Sequence, residues 1–315
     1  MSGPLAPAPP SLPPALPGDG LTLDGAFGRL HAYAAGPAAA AGGPPPLLLV
    51  HSVNAAATAA EVRPLYEALA STRAVLAPDL PGFGLSERRD RLYTPRLMTD
   101  AVLASIDALC ARTGSAAVDV LGVSLGCEFV ARAAAEAPAR VRRVALVSPT
   151  GLRGRTRREG APAAGIGPAW VQALLRGPGR APGSGSGWGA PLFRGLTRPG
   201  VIRYFLRRTW GSAHIDEALW RYDVLTARQP GAEHAPLSFL GAALFSADIT
   251  RVYESLPQPV WVVHGTRGDF TDYRGLGVLR TVQPWQVSVM RDTGALMYFE
   301  RPQEFLRDLR AFLDH

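Results

Sequence analysis

The stretch that most restricts the fold is Val118–Ala135, which reads VDVLGVSLGCEFVARAAA. An apolar run, Val118 to Leu121, leads into Gly122-Val123-Ser124-Leu125-Gly126, and a helical pattern follows with Phe129, Val130 and Ala133 on one side. This predicts a strand, a sharp turn and a helix, with Ser124 at the apex. The start of the helix must pack close against the end of the strand, so a Cβ at either flank would collide and glycine suits both positions. Ser124 is thereby forced out of the sheet with its hydroxyl exposed. The amide of Leu125, at the helix N-terminus, points where negative charge on a reacting oxygen would collect.

Around that unit the chain alternates strands and helices. Leu47–Val50, Ala74–Ala77, Arg143–Ser148, Val260–His264 and Gln286–Met290 read as strands, and the wholly apolar runs among them suit buried parallel ones. Helices are expected over Glu61–Ser71, from the Thr94 cap and Pro95 to about Arg112, and over Pro302–Leu313 with Phe305, Leu309 and Phe312 on one face. Leu21–Leu23 and Gly28–Ala34 suit an antiparallel edge hairpin. The fold class is therefore α/β, with a mostly parallel, doubly wound sheet. From Gly151 to about Ser255 strand signals stop. Helical pieces around Ala169–Arg176, Val201–Trp210, Ile215–Ala227 and Leu237–Ala247 are separated by loops such as Gly177–Gly189. This divides the chain into a core of 19–150 and 256–315 and a helical cap insertion of 151–255. Seven prolines within residues 1–18 make that segment a disordered or extended tail. Trp170, Trp188, Trp210, Trp220 and Phe239 lie in the insertion, where they either line an apolar pocket or form the insertion's own core.

The 315 residues carry a formal charge of +7, which invites a nucleic-acid reading. The pattern argues against it: all 33 basic residues are arginines, scattered among 26 acids rather than gathered in a stripe. The densest cluster, Arg153, Arg155, Arg157 and Arg158, reads as a solvated loop. Two cysteines, Cys110 and Cys127, suggest no disulfide framework. The N-terminus has no basic region followed by an unbroken apolar one, and no apolar run is long enough for a bilayer. A cytoplasmic protein without a membrane span is the expectation. No zinc or phosphate-loop motif is present, so neither a metal nor a cofactor is expected.

In order, the motifs are LLLVHS, DLPGFGLS, GVSLG, the helical insertion, VVHGTRGD and TGALMYFERPQEF. This series resembles the α/β-hydrolase superfamily, in its cap-bearing branch of esterases, epoxide hydrolases and C–C hydrolases, over roughly Gly28 to His315. The resemblance makes Ser124 the nucleophile on a nucleophile elbow and Asp269 the triad acid, with Asp272 a neighbour able to substitute. The oxyanion hole would use the amides of Leu125 and Val53. Relatives usually read His-Gly where this chain reads His51-Ser52. Asp79, in the loop after the second parallel strand, is expected to cap turn amides rather than react.

The resemblance breaks before the last helix. Relatives usually read Gly-His-x-x-x-x-Glu just before that helix, with the histidine as base; here Gly294 and Glu300 keep register and Ala295 occupies the histidine position. A serine hydroxyl is a poor nucleophile unless a base removes its proton. Substitute bases weighed from the sequence are His51, His264, His214 and His234. Three functions follow: a serine hydrolase acting on an ester-like or related carbonyl substrate with a non-standard or missing base; an impaired homologue that binds a small molecule; or a lyase or isomerase on the same fold. The partner expected is a small, partly apolar molecule, and the oligomeric state is left open.

Overall fold

The computed structural model describes residues 11–37, 43–152, 158–176, 188–269, 271–280 and 284–314. An antiparallel hairpin comes first, β1 (Asp19–Gly25) with β2 (Gly28–Ala35). Then follow β3 (Leu47–Val50), α1 (Arg63–Ala70), β4 (Val75–Pro78), α2 (Pro95–Thr113), β5 (Val118–Val123), α3 (Gly126–Glu136) and β6 (Val141–Val147). Among the described residues six helices intervene: α4 (Ala169–Arg176), α5 (Gly189–Leu196), α6 (Pro199–Trp210), α7 (Glu217–Thr226), α8 (His234–Leu240) and α9 (Ile249–Glu254). The chain closes with β7 (Val260–Gly265), α10 (Arg274–Leu279), β8 (Gln286–Met290), α11 (Met297–Glu300) and α12 (Pro302–Asp314).

The eight strands form one sheet in the order β1-β2-β4-β3-β5-β6-β7-β8, parallel from β4 to β8. Every residue of β3, β4 and β5 is buried, as parallel strands covered on both faces should be. Local signals worked where they were strong. Thr94 caps α2 by accepting the Leu97 amide, with Pro95 in the first turn, and Gly114 ends the helix in the left-handed region. The apolar stripe of α12 buries Phe305, Leu309 and Phe312 against Trp261 of β7. In the insertion, α4, α6 and α7 lie close to their expected places. The helix expected over Leu237–Ala247 instead ends at Leu240, and α5 and α9 were not anticipated. Gly241 follows, and Ala242 adopts φ 60°, which turns the chain.

Two expectations about the surface change. Residues 11–18 have neither helix nor strand, yet they are held: Ala15 and Leu16 are buried, Tyr66 donates to the Pro17 carbonyl (2.9 Å), and Tyr222 of α7 donates to that of Pro13 (2.7 Å). Residues 1–10 lie outside the described residues. Arg158 is not a solvated loop residue, because its guanidinium pairs with the fully buried Glu128 of α3. Arg153, Arg155 and Arg157 lie outside the described residues. Cys110 and Cys127 are free and buried.

Two buried polar junctions fasten the six helices to the core through α3. Glu128 accepts from Thr150 (2.5 Å), from the Ser246 amide (2.7 Å) and from Arg158. Arg132 forms a two-pronged pair with Asp248, both about 5% exposed. No helix among the described residues is long and apolar enough to cross a membrane.

Candidate active site

The carboxyl ends of β3, β5, β6, β7 and β8 converge on one edge of the sheet, where open α/β sheets hold their ligands. At the end of β5, Ser124 adopts φ 51°, a left-handed conformation that costs a non-glycine residue energy. Packing enforces it. A Cβ on Gly122 would lie 2.4 Å from Val130, and one on Gly126 would lie 2.4 Å from the His51 carbonyl oxygen. The second contact presses the turn directly against the loop that follows β3. The Ser124 amide donates to Val147 of β6 (2.8 Å), and the Cys127 thiol donates to the Gly122 carbonyl (3.1 Å). Burial pushes that thiol's pKa up, so it stays an inert SH group. Among the described residues, no backbone carbonyl accepts the amide of Leu125 or of Val53, the two donors expected of an oxyanion hole.

The loop after β3 is held by a residue the sequence reading passed over. Glu61, 2% exposed, accepts the Ser52 amide (2.9 Å) on one oxygen and the Asn54 side chain (2.8 Å) on the other. Asn54 in turn accepts the Ala56 amide (2.7 Å). Nothing local in the sequence marks Glu61, since the bonds form only when the loop folds back over the short 3-10 helix Ala59–Val62. Asp79 behaves as expected. One oxygen accepts the Ala59 amide (2.8 Å), and the other accepts the Leu85 amide (2.9 Å) and the Tyr33 hydroxyl (3.0 Å).

Asp269 is bonded by an arginine. Its carboxylate is exposed and engaged by both prongs of Arg208 on α6, at 2.6 and 2.8 Å. Asp272 is likewise forked by Arg274, at 2.9 and 2.8 Å. The C-terminus of α6 fills the space between the β7 and β8 loops. Its last carbonyls accept the amides of Asp269 (from Arg208, 3.2 Å) and Ala295 (from Thr209, 3.1 Å), and the side chain of Arg267 (from Trp210, 3.0 Å). These bonds satisfy acceptors that a helix end would otherwise leave open. Gly294 permits the contact, since a Cβ there would lie 2.5 Å from the Trp210 carbonyl oxygen. Ala295 is 4% exposed, and its carbonyl accepts the Ser148 hydroxyl (2.8 Å).

None of the four histidines weighed as a base is bonded to Ser124. His51 is fully buried; its Nδ1–H donates to the Ser52 carbonyl (2.5 Å) and its Nε2 accepts the Leu80 amide (2.9 Å). Both nitrogens are occupied, and burial lowers its pKa. His264 stacks on Tyr273 with ring centroids 4.0 Å apart, and its Nδ1 meets the Gly265 carbonyl at 2.9 Å. Partial burial lowers its pKa too. His214 is exposed, and His234 lies 3.7 Å from Asp90.

The aromatics of residues 151–255 have separate surroundings among the described residues. Trp210 is buried against Phe299, Phe239 stacks on Phe245, and Trp220 donates to the Pro199 carbonyl beneath Arg203. Trp170 and Trp188 are exposed.

A sequence profile of the α/β-hydrolase fold matches residues 45–302, which include every parallel strand and end where the closing helix begins. The chain is a member of the α/β-hydrolase family. Solved structures agree on the architecture of this α/β-hydrolase. It is similar to 2-hydroxy-6-oxo-6-phenylhexa-2,4-dienoate hydrolase from Rhodococcus sp. strain RHA1, at TM-score 0.67 and 20% identity, covering 94% of this chain and 99% of that one. It is also similar to a meta-cleavage product hydrolase from Pseudomonas fluorescens IP01, at TM-score 0.63 and 19% identity over 91% and 94% of the two chains. A carboxylesterase from Bacillus subtilis aligns at TM-score 0.65 and 17% identity over 94% and 91%. At these identities the likeness carries the fold alone. No curated protein sequence matches the chain.

Proposed function

We propose that this α/β-hydrolase acts on a small ester-like carbonyl compound through Ser124, without a Ser–His–Asp relay. The observation that carries this reading is the strained Ser124 backbone, φ 51°, together with the amides of Leu125 and Val53, which no backbone carbonyl accepts among the described residues. Holding a serine in that conformation costs about 1–3 kcal/mol, and inherited packing at Gly122 and Gly126 maintains it. In this reading the Ser124 oxygen bonds to the carbonyl carbon while the two amides receive the charge on oxygen. The C–O bond to the leaving group breaks, the serine proton passes through solvent to that oxygen and it departs as the alcohol. Water then hydrolyses the acyl-serine to release the acid and restore the hydroxyl. The six inserted helices serve as a cap over the cleft.

Ala295 in the histidine position leaves the proton of Ser124 without its usual acceptor. In a serine protease, removing the base costs about a million-fold, and roughly 10³–10⁴ over water persists from oxyanion stabilisation and binding. Turnover is therefore expected to be slow and confined to activated esters. A fluorophosphonate probe tests the reading: it should label the folded protein at Ser124, and Ser124→Ala should abolish labelling. Failure to label wild type would overturn it.

A second reading, a small-molecule binding protein with no turnover, is favoured by one feature: Arg208 and the α6 carbonyls occupy the acid loop and the Ala295 loop together. Stoichiometric labelling with no ester turnover would select it.

A further inference from the structure

Asp223 of α7 is a buried carboxyl with an unpaired oxygen. It is 2% exposed, and its Oδ1 has no hydrogen-bond partner. Buried carboxyls normally find donors, because an unpaired one forfeits its hydration with nothing in return. The α7 face that carries it also buries Leu219, Tyr222 and Thr226, and it packs on the 3-10 helix that bears Glu61. Thr226, one turn further on, borders a narrow crevice against Ala55–Ala57, the residues that follow Asn54. Asp223 therefore sits behind the clamp that fixes the loop carrying the Val53 amide.

We propose that Asp223 is a positioning residue, which sets the Ser52–Asn54 loop through Glu61. Glu61 spends one oxygen on the Ser52 amide and the other on Asn54, so it accepts from both. Asp223 receives no such donors at Oδ1. A neutral carboxyl there leaves the Glu61 clamp undisturbed, whereas a second negative charge repels it and loosens the loop. The charged groups around Asp223 are Glu61 of the 3-10 helix, Arg63 of α1 and Asp216 at the start of its own helix. Burial first, then Glu61, drives its pKa well above the carboxylate range, against the pull of Arg63. The carboxyl thus keeps its proton in the range where ordinary aspartates have lost it. A carboxylic acid held neutral by an apolar site is a known device for shaping an oxyanion site. Here it would act at one remove, on the backbone that presents the donor.

This inference rests on the proposed role of the loop after β3, so its test has two arms. In the first, amide hydrogen exchange is followed across residues 52–56 as pH rises, with intrinsic exchange divided out. Wild type should lose protection by up to about tenfold per pH unit as pH rises from the ordinary aspartate range toward the raised pKa of Asp223 in the closed loop, while Asp223→Asn, which cannot ionise, should hold its protection. In the second, the ratio of fluorophosphonate labelling rates, wild type to Asp223→Asn, should fall over the same pH range. Asp223→Leu keeps the test open should the asparagine variant fold poorly. Parallel exchange profiles in wild type and both variants would overturn the proposal, whether or not Ser124 reacts. Absence of labelling in all variants, with the exchange difference intact, would overturn the Ser124 reading and leave this one standing.

Discussion

Replacing Ala295 by histidine would return an imidazole to the β8 loop, and the structure bounds what that change can achieve. Ala295 is 4% exposed and its amide is bonded to Thr209, so the larger side chain must displace part of the α6 terminus. Overpacking of this kind costs about 1–3 kcal/mol, which a chain of this size should survive. The catalytic gain is limited by Asp269, whose carboxylate faces Arg208. In subtilisin the base is worth about 2 × 10⁶ in turnover and the acid behind it about 3 × 10⁴. An imidazole without its acid is then worth about a hundredfold. Ala295→His should accordingly raise hydrolysis of a p-nitrophenyl ester by about two orders of magnitude over wild type. The Arg208–Asp269 pair is exposed and screened by water, so Arg208→Gln should release Asp269 at little cost to folding. The double variant should exceed Ala295→His by a further tenfold or more. Ester kinetics and urea denaturation on all four proteins check the argument. A single variant that already reaches 10⁴-fold would refute the role given to Arg208. No gain in either variant, with both folded, would refute the claim that Ser124 and its amides are in working order.

Other outcomes follow from the same contacts. Ser124→Gly should stabilise the protein by about 1 kcal/mol in urea denaturation, because glycine accepts φ 51° without strain; Ser124→Ala should give no such gain. Arg132→Ala strands Asp248, about 5% exposed, and should cost about 3–5 kcal/mol, with protease cleavage within 158–255 as the first sign. Asp223→Asn should gain stability on wild type as pH rises. The folded carboxyl titrates higher than the unfolded one, so wild type is steadily penalised from about pH 4 up to the folded pKa; melting curves at pH 4 and pH 8 check the sign. Tyr222→Phe removes the bond to Pro13 and should cost about 1 kcal/mol, while exposing residues 11–18 to proteolysis.

The strand positions, the tight turn at Ser124, the Thr94 cap and the turn-capping carboxylate of Asp79 were legible from the chain alone. Each rests on neighbours in sequence: an apolar run beside two glycines, a threonine before a proline, a carboxylate within reach of turn amides. Ala295 could be read as well, since it needs only the register between Gly294 and Glu300. Other features could be settled only by folding. Asp269 lies beside Arg208, Glu61 beneath Ser52, Glu128 beside Arg158, and Asp223 against the helix that bears Glu61. Charge pairing has no periodicity, and an arginine 61 residues away leaves no mark on the aspartate it captures. The short helices α5 and α9 were missed because pieces of 8 and 6 residues owe their helicity to packing rather than to propensity. The sequence thus determined that Ser124 stands at the apex of a strand–turn–helix unit and that an alanine follows Gly294. Tertiary contact decided that Asp269 meets Arg208 and that Asp223 is buried with one oxygen unpaired, because only the folded chain sets which charged groups come together.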